Sequence, residues 1–560
     1  MALLLVLLFA LGMPALAQSV ATPSAPASAP PAVGPTPRVG VGQEERRLSL
    51  EDAVQLALKN NLEIEVSRTD MVNAEQVLKA ARGVFDTVLS YKPSLASLTT
   101  PTASSLAAAD GKMAEHDFNN DFTVRQKTPW QGMSLHADFL NQRQSTNNPF
   151  TALSPFTTSR IVAGLNVPLL RNRAIDSDRA QIGIRMKQVH QSKIEFEVRV
   201  IDVVTVVQGN YWDLVAAIED ASVAQDGVRL AQDQLDRSKR QVESGTLAPV
   251  EISGAEAELQ RRVDSFVTAV GLVTNAENAL KMMLTSDRGD ALWGMRLAPT
   301  DVRVPAESQR DLEPALDEAL KRRAELHSVD LRLEALQIQT SFARDSLKPQ
   351  LNLTANYTNS GLAGTVVTTQ SPLGAAFGAQ SDRLNEISEI LGLPPLPPLS
   401  LGGVPPAFIG GYGQTLSNLF SGNFQSVDAA LTLEWTPRNR TAEATLAQSV
   451  VAERRLKLQR RQMEQLISVE VRNALQGIET ARQRIEAATA SERAAKEKLD
   501  SEIRLFQTGE STNFLVLTRQ NELLDSRRRA VQAELQMNRA VARLRQVTGE
   551  TLEANRIKLD

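Results

Sequence analysis

The sequence predicts a mainly α-helical protein in which one plan of long antiparallel helical hairpins occurs twice, with short β-strands between the helices. Three observations predict this fold. The chain contains an internal repeat, it has very long helical stretches with the spacing of coiled coils, and it has short segments in which apolar and polar residues alternate. Aromatic residues make up only 4% of its 560 residues, which favours an elongated molecule over a large globular core.

The repeat lies at a nearly constant offset along the chain. Residues 50–63 match residues 312–325 at an offset of 262, and residues 241–260 match residues 505–524 at an offset of 264. In the second match, Gly245 aligns with Gly509. Two landmarks in the same order at nearly the same offset indicate a duplication.

Each copy is predicted to contain an opening helix, a β region, a very long helix, a short break with the glycine, and a return helix. The predicted ranges in copy one and copy two are 49–82 and 312–346 for the opening helix, 170–242 and 438–507 for the long helix, and 250–284 and 514–548 for the return helix. At about 1.5 Å per residue, the opening and return helices laid end to end are about as long as the long helix. We therefore expect one continuous helix packed against two stacked half-length helices, twice.

Four segments of the β regions are predicted to be strands. Each has the length of a tilted strand that crosses a bilayer: Val84–Tyr91, Ser159–Leu169, Gln350–Thr358 and Ser426–Trp435. Four strands cannot close a barrel, and an open sheet edge is not tolerated in lipid. If these strands cross a membrane, several chains must pool them. Two further candidates, Phe118–Lys127 and Met133–Asn141, either join the barrel or lie outside it.

The chain ends and connections complete the domain plan. Residues 1–17 combine an apolar run with the small-residue site Ala15-Leu16-Ala17 and are predicted to be a signal peptide. No later segment offers 18 uninterrupted apolar residues, so no transmembrane helix is predicted. The remaining segments are a disordered Pro/Ala/Ser-rich lead-in at 18–47, repeat one at 48–284, a linker at 285–311, repeat two at 312–550 with an irregular loop insertion at 360–424, and a tail at 551–560.

Composition excludes several function classes. The chain has no cysteine and only four scattered histidines, and its 61 basic and 65 acidic residues nearly cancel. We therefore expect no metal site, no nucleic-acid partner and no lipid anchor on cysteine. Motifs of nucleotide-binding and hydrolytic enzymes are absent from the sequence. We predict that the protein is not an enzyme and needs no cofactor.

The chain resembles the TolC-like outer membrane efflux proteins. The resemblance is carried by the opening helix at 48–61, the strand end at 166–171, and the paired breaks at Ser244-Gly245 and Thr508-Gly509, and it extends over about 48–550. It implies a homotrimer in the outer membrane of a Gram-negative-type cell. In that trimer, four strands per chain form a twelve-stranded barrel above a helical tunnel through the periplasm.

The resemblance also implies partners and sites. The protein would be the exit duct of a tripartite efflux or type I secretion system, meeting a periplasmic adaptor protein and an inner-membrane transporter at its helical tips. The tip residues that dock the adaptor would be Ser244, Gly245, Thr246, Leu247, Thr508, Gly509, Glu510 and Ser511. A plain helical turn explains the same glycines.

A gate is a further implication of the resemblance. The family often narrows its tunnel with acidic residues six and nine positions after the second glycine, where this chain has Leu515 and Thr518. The candidate periplasmic gate is therefore apolar, or nearby Glu510, Asp525 or Arg519 contributes to it.

Two other functions fit part of the pattern. A periplasmic adaptor also combines a helical hairpin with β domains, but it has one hairpin, whereas this chain has two hairpins and two β regions in tandem. A trimeric stalk or adhesin would have parallel helices without returning tips. The tandem plan favours the duct.

Overall fold

A computed structural model of the chain describes residues 38–42, 44–103, 111–301, 310–368, 372–395 and 403–558, and for 372–376 it describes the backbone only. The predicted signal peptide and the lead-in up to residue 37 lie outside the described residues. No helix among the described ranges is both long enough and apolar enough to cross a membrane.

The helices follow the predicted duplication. In copy one they are α1 (Leu50–Asn60), α2 (Leu62–Arg82), α3 (Ser177–Glu243) and α4 (Val250–Leu284), and in copy two they are α5 (Leu312–Arg322), α6 (Ala324–Asp345), α9 (Arg440–Gln507) and α10 (Asn513–Thr548). The long helices have 67 and 68 residues and the return helices 35 and 36. The insertion of copy two adds α7 (Pro372–Ile390) and α8 (Tyr412–Phe420), and α11 (Thr551–Ala554) follows α10.

The strands form two sheets. A two-stranded parallel sheet pairs β1 (Glu45–Leu48) with β6 (Arg296–Pro299). An antiparallel sheet contains β2 (Val88–Pro101), β3 (Lys112–Lys127), β4 (Ser134–Thr146), β5 (Leu153–Pro168), β7 (Gln350–Val366) and β8 (Gln425–Glu434), in that order.

The larger sheet corrects the predicted number of strands. It has six strands, where the sequence predicted four, because both candidates that were left open are strands. The hairpin β3–β4 inserts between β2 and β5 and pairs with both neighbours over its length. Sequence alternation marked these segments but could not show their partners, since register depends on pairing with distant strands.

The opening helix of each copy is broken in two, which was not predicted. Asn61 has an extended backbone, and its side-chain oxygen accepts hydrogen bonds from the N–H groups of Glu63 (2.9 Å) and Ile64 (3.3 Å) at the start of α2. Its side-chain nitrogen donates to the carbonyl of Met283 in α4 (3.2 Å). Copy two has the same break at Arg323. The break lets α2 and α4 meet end to end along α3.

The long helix α3 begins at Ser177, later than the predicted residue 170. Asn172 has a positive φ of 68°, so the chain turns after β5 before it becomes helical. Asp176 then caps the helix, because its side chain accepts a hydrogen bond from the N–H of Arg179 at 2.8 Å. The turn between sheet and helix therefore takes up the residues that the periodicity assigned to the helix.

The largest hydrophobic core surrounds the middle of α3, where α1, α4 and the β1–β6 sheet pack on it. Tyr211 is fully buried there, and its hydroxyl lies 3.1 Å from the carbonyl oxygen of Leu48 and 3.2 Å from the carboxylate of Asp301. The same carboxylate accepts a hydrogen bond from the N–H of Leu50 at 2.7 Å. Tyr211 thus fixes the first turn of α1 to the centre of the molecule.

Two predicted irregular segments contribute structure to this core. Residues 45–47 were assigned to the disordered lead-in, but they belong to β1, and the predicted linker contains β6. The linker is also held by the buried side chain of Lys281, which pairs with Glu277 at 2.7 Å and donates to the carbonyl oxygen of Trp293 at 3.1 Å. β1 and β6 are separated in the sequence by about half the length of the chain, so no local sequence pattern reveals that they pair.

In the half of the six-stranded sheet next to the long helices, one face is mainly apolar and the other mainly polar, whereas farther out Asn120, Asn141 and Ser159 lie on the same face as the apolar residues. Residues that lie opposite one another on paired strands share a face. One row across all six strands contains Leu89, Val124, Ala137, Ala163, Tyr357 and Val427. The row of the opposite face next to it contains Val88, Arg125, His136, Gly164, Asn356 and Asp428. This division is that of a barrel wall with lipid on one side and water on the other.

The loop insertion of copy two is more regular than predicted. Its first residues extend β7 to Val366, and α8 packs on the sheet at the end that is distant from the long helices. Asn418 donates hydrogen bonds to the carbonyl oxygens of Leu362 (2.8 Å) and Ala407 (2.7 Å). The helix lies on the same side of the sheet as the apolar row, directly over Gly361.

We predict that Gly361→Val displaces α8 from the sheet. A Cβ at this position would lie 2.2 Å from the carbonyl oxygen of Thr415, which is backbone and cannot move alone. Limited proteolysis should cleave the segment 403–424 faster in this variant. The control is Gly413→Ala, because no atom lies within 4 Å of a Cβ there. Equal cleavage of both variants would contradict the packing of α8.

Tyr211→Phe should lower the stability of the core at neutral pH by about 1–2 kcal/mol, because it removes the hydroxyl that joins β1 to Asp301. Burial is the largest cause that raises the pKa of Tyr211 to about 12. A group with a raised folded pKa stabilises the fold below its unfolded pKa of about 10 and loses that contribution as the pH rises towards about 12.

Thermal unfolding of the detergent-extracted protein across that pH interval provides the measurement. The difference in stability between the parent and Tyr211→Phe should shrink as the pH rises. A difference that stays constant across the interval would show that the hydroxyl is not in the described environment.

Candidate functional site

The predicted tip residues lie at the far ends of the two helical hairpins. One tip joins α3 to α4 and the other joins α9 to α10. A straight helix of 67 residues is about 100 Å long at 1.5 Å per residue. The tips therefore lie about 100 Å from the start of the long helices below the sheet.

The first tip is a left-handed helix end built on Gly245. The N–H of Gly245 donates to the carbonyl of Val242 at 3.0 Å, and the N–H of Thr246 donates to that of Gln241 at 2.9 Å. Gly245 has a φ of +74°, a conformation that favours glycine. These two bonds form the Schellman motif, which ends a helix and reverses the chain.

The second tip repeats this geometry at Gly509, whose φ is +84°. Its N–H donates to the carbonyl of Phe506 at 3.2 Å, and the N–H of Glu510 donates to that of Leu505 at 2.9 Å. The helix that follows is capped by Thr512, whose side chain accepts from the N–H of Leu515. The glycine landmark of the sequence repeat is therefore the same turn in both copies.

The two tips differ in their side chains. In the first tip, the hydroxyls of Ser244 and Thr246 both donate to the carbonyl of Gln241 at 3.0 Å. In the second tip, Ser511 donates to the carboxylate of Glu502. Most of the predicted tip residues are exposed, while Leu247 and Ser511 are half-buried. The accessible surface is therefore polar and neutral at the first tip, and it carries the exposed Glu510 at the second.

An ion-pair network lies behind the second tip. Arg519 contacts Glu522 at 2.8 Å and Glu502 at 3.6 Å. The hydrogen bond to Glu522, the largest cause, raises the pKa of Arg519 above its ordinary value. Because one of its two carboxylate partners, Glu502, also accepts a hydrogen bond from Ser511 of the tip, Arg519 stabilises the turn.

The candidate gate residues lie on the first turns of α10. Leu515 is exposed, and Thr518 is half-buried, with its hydroxyl donating to the carbonyl of Phe514 at 2.8 Å. Phe514 itself is 74% exposed. Sequence reasoning missed Phe514, although an aromatic residue at the start of the predicted return helix, close to a tip, was a usable signal.

The two hairpins of a chain are joined side by side close to their tips. The buried side chain of Gln234 on α3 donates to Asn513 at the start of α10. Farther along the same helices, Asp226 pairs with Arg527 at 3.4 Å. These contacts hold both turns at the same level, so that they form one composite surface.

The described residues contain no group of three or more His, Asp or Glu side chains that could hold a metal ion. The prediction that the protein needs no metal or cofactor stays a prediction.

The chain shows similarity to known proteins in sequence and in fold. The sequence profile of the family described as outer membrane efflux protein matches residues 133–286 and 315–550. No curated protein matches the sequence. The matched solved structures include the following three channels.

The CmeC outer membrane channel of Campylobacter jejuni has 15% sequence identity and a TM-score of 0.59, and the match covers 90% of this chain and 86% of that chain. The open state of the MtrE outer membrane channel of Neisseria gonorrhoeae has 14% identity and a TM-score of 0.57, over 90% and 89% of the two chains. CusC, whose structures concern folding and transmembrane channel formation, has 13% identity and a TM-score of 0.61, over 92% and 97%. These likenesses show the fold.

We predict that Gly245→Val and Gly509→Val loosen the tips without altering the rest of the fold. No atom lies within 4 Å of a Cβ at either position, so the strain is confined to the backbone and costs about 1–2 kcal/mol. Hydrogen exchange at the amides of Thr246 and Glu510, which close the two motifs, should become faster.

The matched controls are Gly245→Asn and Gly509→Asn, because asparagine tolerates the left-handed conformation. If the valine variants exchange no faster than the asparagine variants, the glycines are not required by the turn geometry.

Proposed function

This chain belongs to the outer membrane efflux protein family, and from that membership we propose the assembly in which it works. The chain is an outer membrane exit duct of a tripartite efflux system. The alternative interpretation as a periplasmic adaptor is not supported, since the family and the matched folds are those of outer membrane channels. The observation that carries the function is a two-faced sheet joined directly to hairpins about 100 Å long.

The duct is a homotrimer in our proposal. Among the described residues, the six-stranded sheet leaves the outer edges of β2 and β8 without partners, and unpaired backbone groups cost several kcal/mol each in lipid. Several copies must therefore join edge to edge. The helical part has the same requirement, because α9 presents the exposed apolar residues Val450, Val451, Leu458, Leu466 and Val469.

The periplasmic adaptor docks on the composite tip surface. Both turns of a chain reach the same level, at the point farthest from the sheet, and their polar groups are accessible. In a trimer the two similar turns of each chain give six tips in a ring. A partner with a repeated helical hairpin fits such a ring, and through it the inner-membrane transporter passes substrate to the duct.

The gate of the tunnel lies just behind the tips. Leu515 and Thr518 remain the candidates, and Phe514 joins them because it is the most exposed large apolar side chain at this level of α10. Arg519 does not contribute a free charge, since Glu502 and Glu522 bind it. We propose an apolar constriction in place of the acidic one of related channels.

The location follows from the same proposal. Residues 1–17 direct export and are removed, the apolar face of the sheet meets outer membrane lipid between α8 and the long helices, and the hairpins extend into the periplasm. That the protein is not an enzyme stays a prediction, although its family is one of channels.

A photo-crosslinking amino acid placed at Thr246 or at Glu510 should capture the adaptor protein in cells that express the complete system. Both side chains are exposed at the tips, so replacing them leaves the helical packing unchanged. The products are identified by mass spectrometry.

The control position is Asp382 in α7, which belongs to the insertion at the opposite end of the molecule. Adaptor captured from Asp382 but from neither tip would overturn the docking proposal. It would leave the channel assignment in place, because the crosslinks report only on the position of the partner.

A further inference from the structure

We propose that the outer membrane barrel of this protein has eighteen strands, six from each of three chains, and that it closes where β8 of one chain pairs with β2 of the next. The inference rests on the proposed homotrimer and goes beyond it. It replaces the twelve strands that the family resemblance implied with a wider barrel.

The hairpin β3–β4 is part of the barrel wall. Its apolar residues Phe122 and Phe139 share one row with Tyr91 of β2 and Ile161 of β5. On the opposite face, the polar Arg125 and His136 lie in the row that runs from Val88 of β2 to Gly164 of β5. A hairpin that projected beyond the membrane would have no reason to continue the apolar rows of its neighbours at the same level.

The same hairpin is anchored where the sheet meets the helices. Lys127 at the end of β3 pairs with Asp178 in the first turn of α3 at 2.7 Å. The turn that follows contains Gln131 and Gly132 with positive φ values of 51° and 67°. A Cβ on Gly132 would lie 2.7 Å from the carbonyl oxygen of Asn172, so the turn packs against the segment before α3. The hairpin therefore ends level with β5.

The two free edges suit each other. β2 follows α2 and runs away from the helices, whereas β8 runs back towards them and continues into α9. A β8 edge beside a neighbour's β2 edge is therefore antiparallel, as every other pair of this sheet is. Both strands are strongly exposed, and the alternation that places Val427 and Leu431 on one face places Leu89 and Leu95 on the same face.

The internal repeat supports a second copy of the chain as the occupant of these edges. Within a chain, α3 of copy one packs against α6 of copy two, and Lys187 pairs with Glu334 at 2.5 Å. The starts of α3 and α9 lie 263 residues apart, and those of α2 and α6 lie 262 residues apart. By these helix starts, the position equivalent to Lys187 is Val450 on α9 and the position equivalent to Glu334 is Val72 on α2, which are 48% and 46% exposed. The equivalent contact between chains is apolar, and it lies beneath the proposed seam.

The added strands change the dimensions of the duct. At a strand spacing of about 4.8 Å and a tilt of about 40°, eighteen strands give a backbone radius of about 18 Å, against about 12 Å for twelve. The cross-section enclosed by the backbone is then about 2.2 times larger.

Engineered disulfides test the strand order, and the absence of cysteine from the sequence removes any background. Ser90→Cys with Thr123→Cys joins β2 to β3, whose two side-chain oxygens lie 2.6 Å apart. Asp428→Cys spans the seam between chains. It is combined in turn with Ser90→Cys, Lys92→Cys or Ser94→Cys, because the structure of one chain does not fix the pairing register at the seam. All these positions are on the polar face.

The proposal expects the first pair to lose its free thiols within one chain. It expects at least one Asp428 combination to give crosslinked dimers and trimers on a denaturing gel. Val427→Cys with the same partners is the matched control, since its side chain lies on the opposite face and should not crosslink. The full chain is purified from outer membranes, and its oligomeric state is measured before oxidation.

Each other outcome overturns a defined statement. If a trimer forms but the Ser90–Thr123 pair keeps its free thiols, β2 has left the hairpin and the eighteen-stranded barrel is wrong, while the duct assignment stands. If a trimer forms and no Asp428 combination crosslinks between chains, the seam is wrong. If the chain is not a trimer in the outer membrane, the proposed assembly fails together with the barrel.

Discussion

The fold depends on covering one very long helix along its entire length. A helix of 67 residues stays straight and stable when its apolar stripe is packed continuously, because helical propensity alone contributes little. In this chain α2 and α4 are stacked end to end along α3, and Asn61 joins them through Met283. That joint fixes the level of the central core. It also sets how far the tips lie from the sheet.

The same constraint explains which residues could be predicted from the sequence. The return helix of copy one, Val250–Leu284, begins and ends at the predicted residues, and both tip glycines occupy the predicted turns, because periodicity and helix ends are local properties. The break at Asn61 could not be predicted in this way. Its side chain caps α2 locally, but the break is useful only because Met283 lies beside it, more than 200 residues along the chain.

The sheet also combines features that nearby residues determine with features that depend on residues distant in the sequence. Alternation located all six strands of the larger sheet, although β2 begins at Val88 and not at the predicted Val84, and the structure extended most of them at the end distant from the long helices. Membership of β3 and β4 in the wall depends on pairing with β2 and β5, and the β1–β6 pair joins segments from opposite ends of copy one. Sequence patterns therefore identify the individual strands, whereas pairing with distant strands decides how many of them belong to one sheet.

The duplication gives the chain two versions of one contact, and their chemistry differs for a physical reason. Inside the chain, α3 and α6 are covalently connected, so the half-exposed pair Lys187–Glu334 needs to contribute little, and such pairs typically contribute about 0–1 kcal/mol. In the proposed trimer the equivalent contact lies between chains, and it must also offset the entropy of association. Apolar side chains such as Val72 and Val450 supply that through burial, at roughly 25 cal/mol per Å². The position that is ionic in one copy is therefore apolar where the proposed trimer places a second chain.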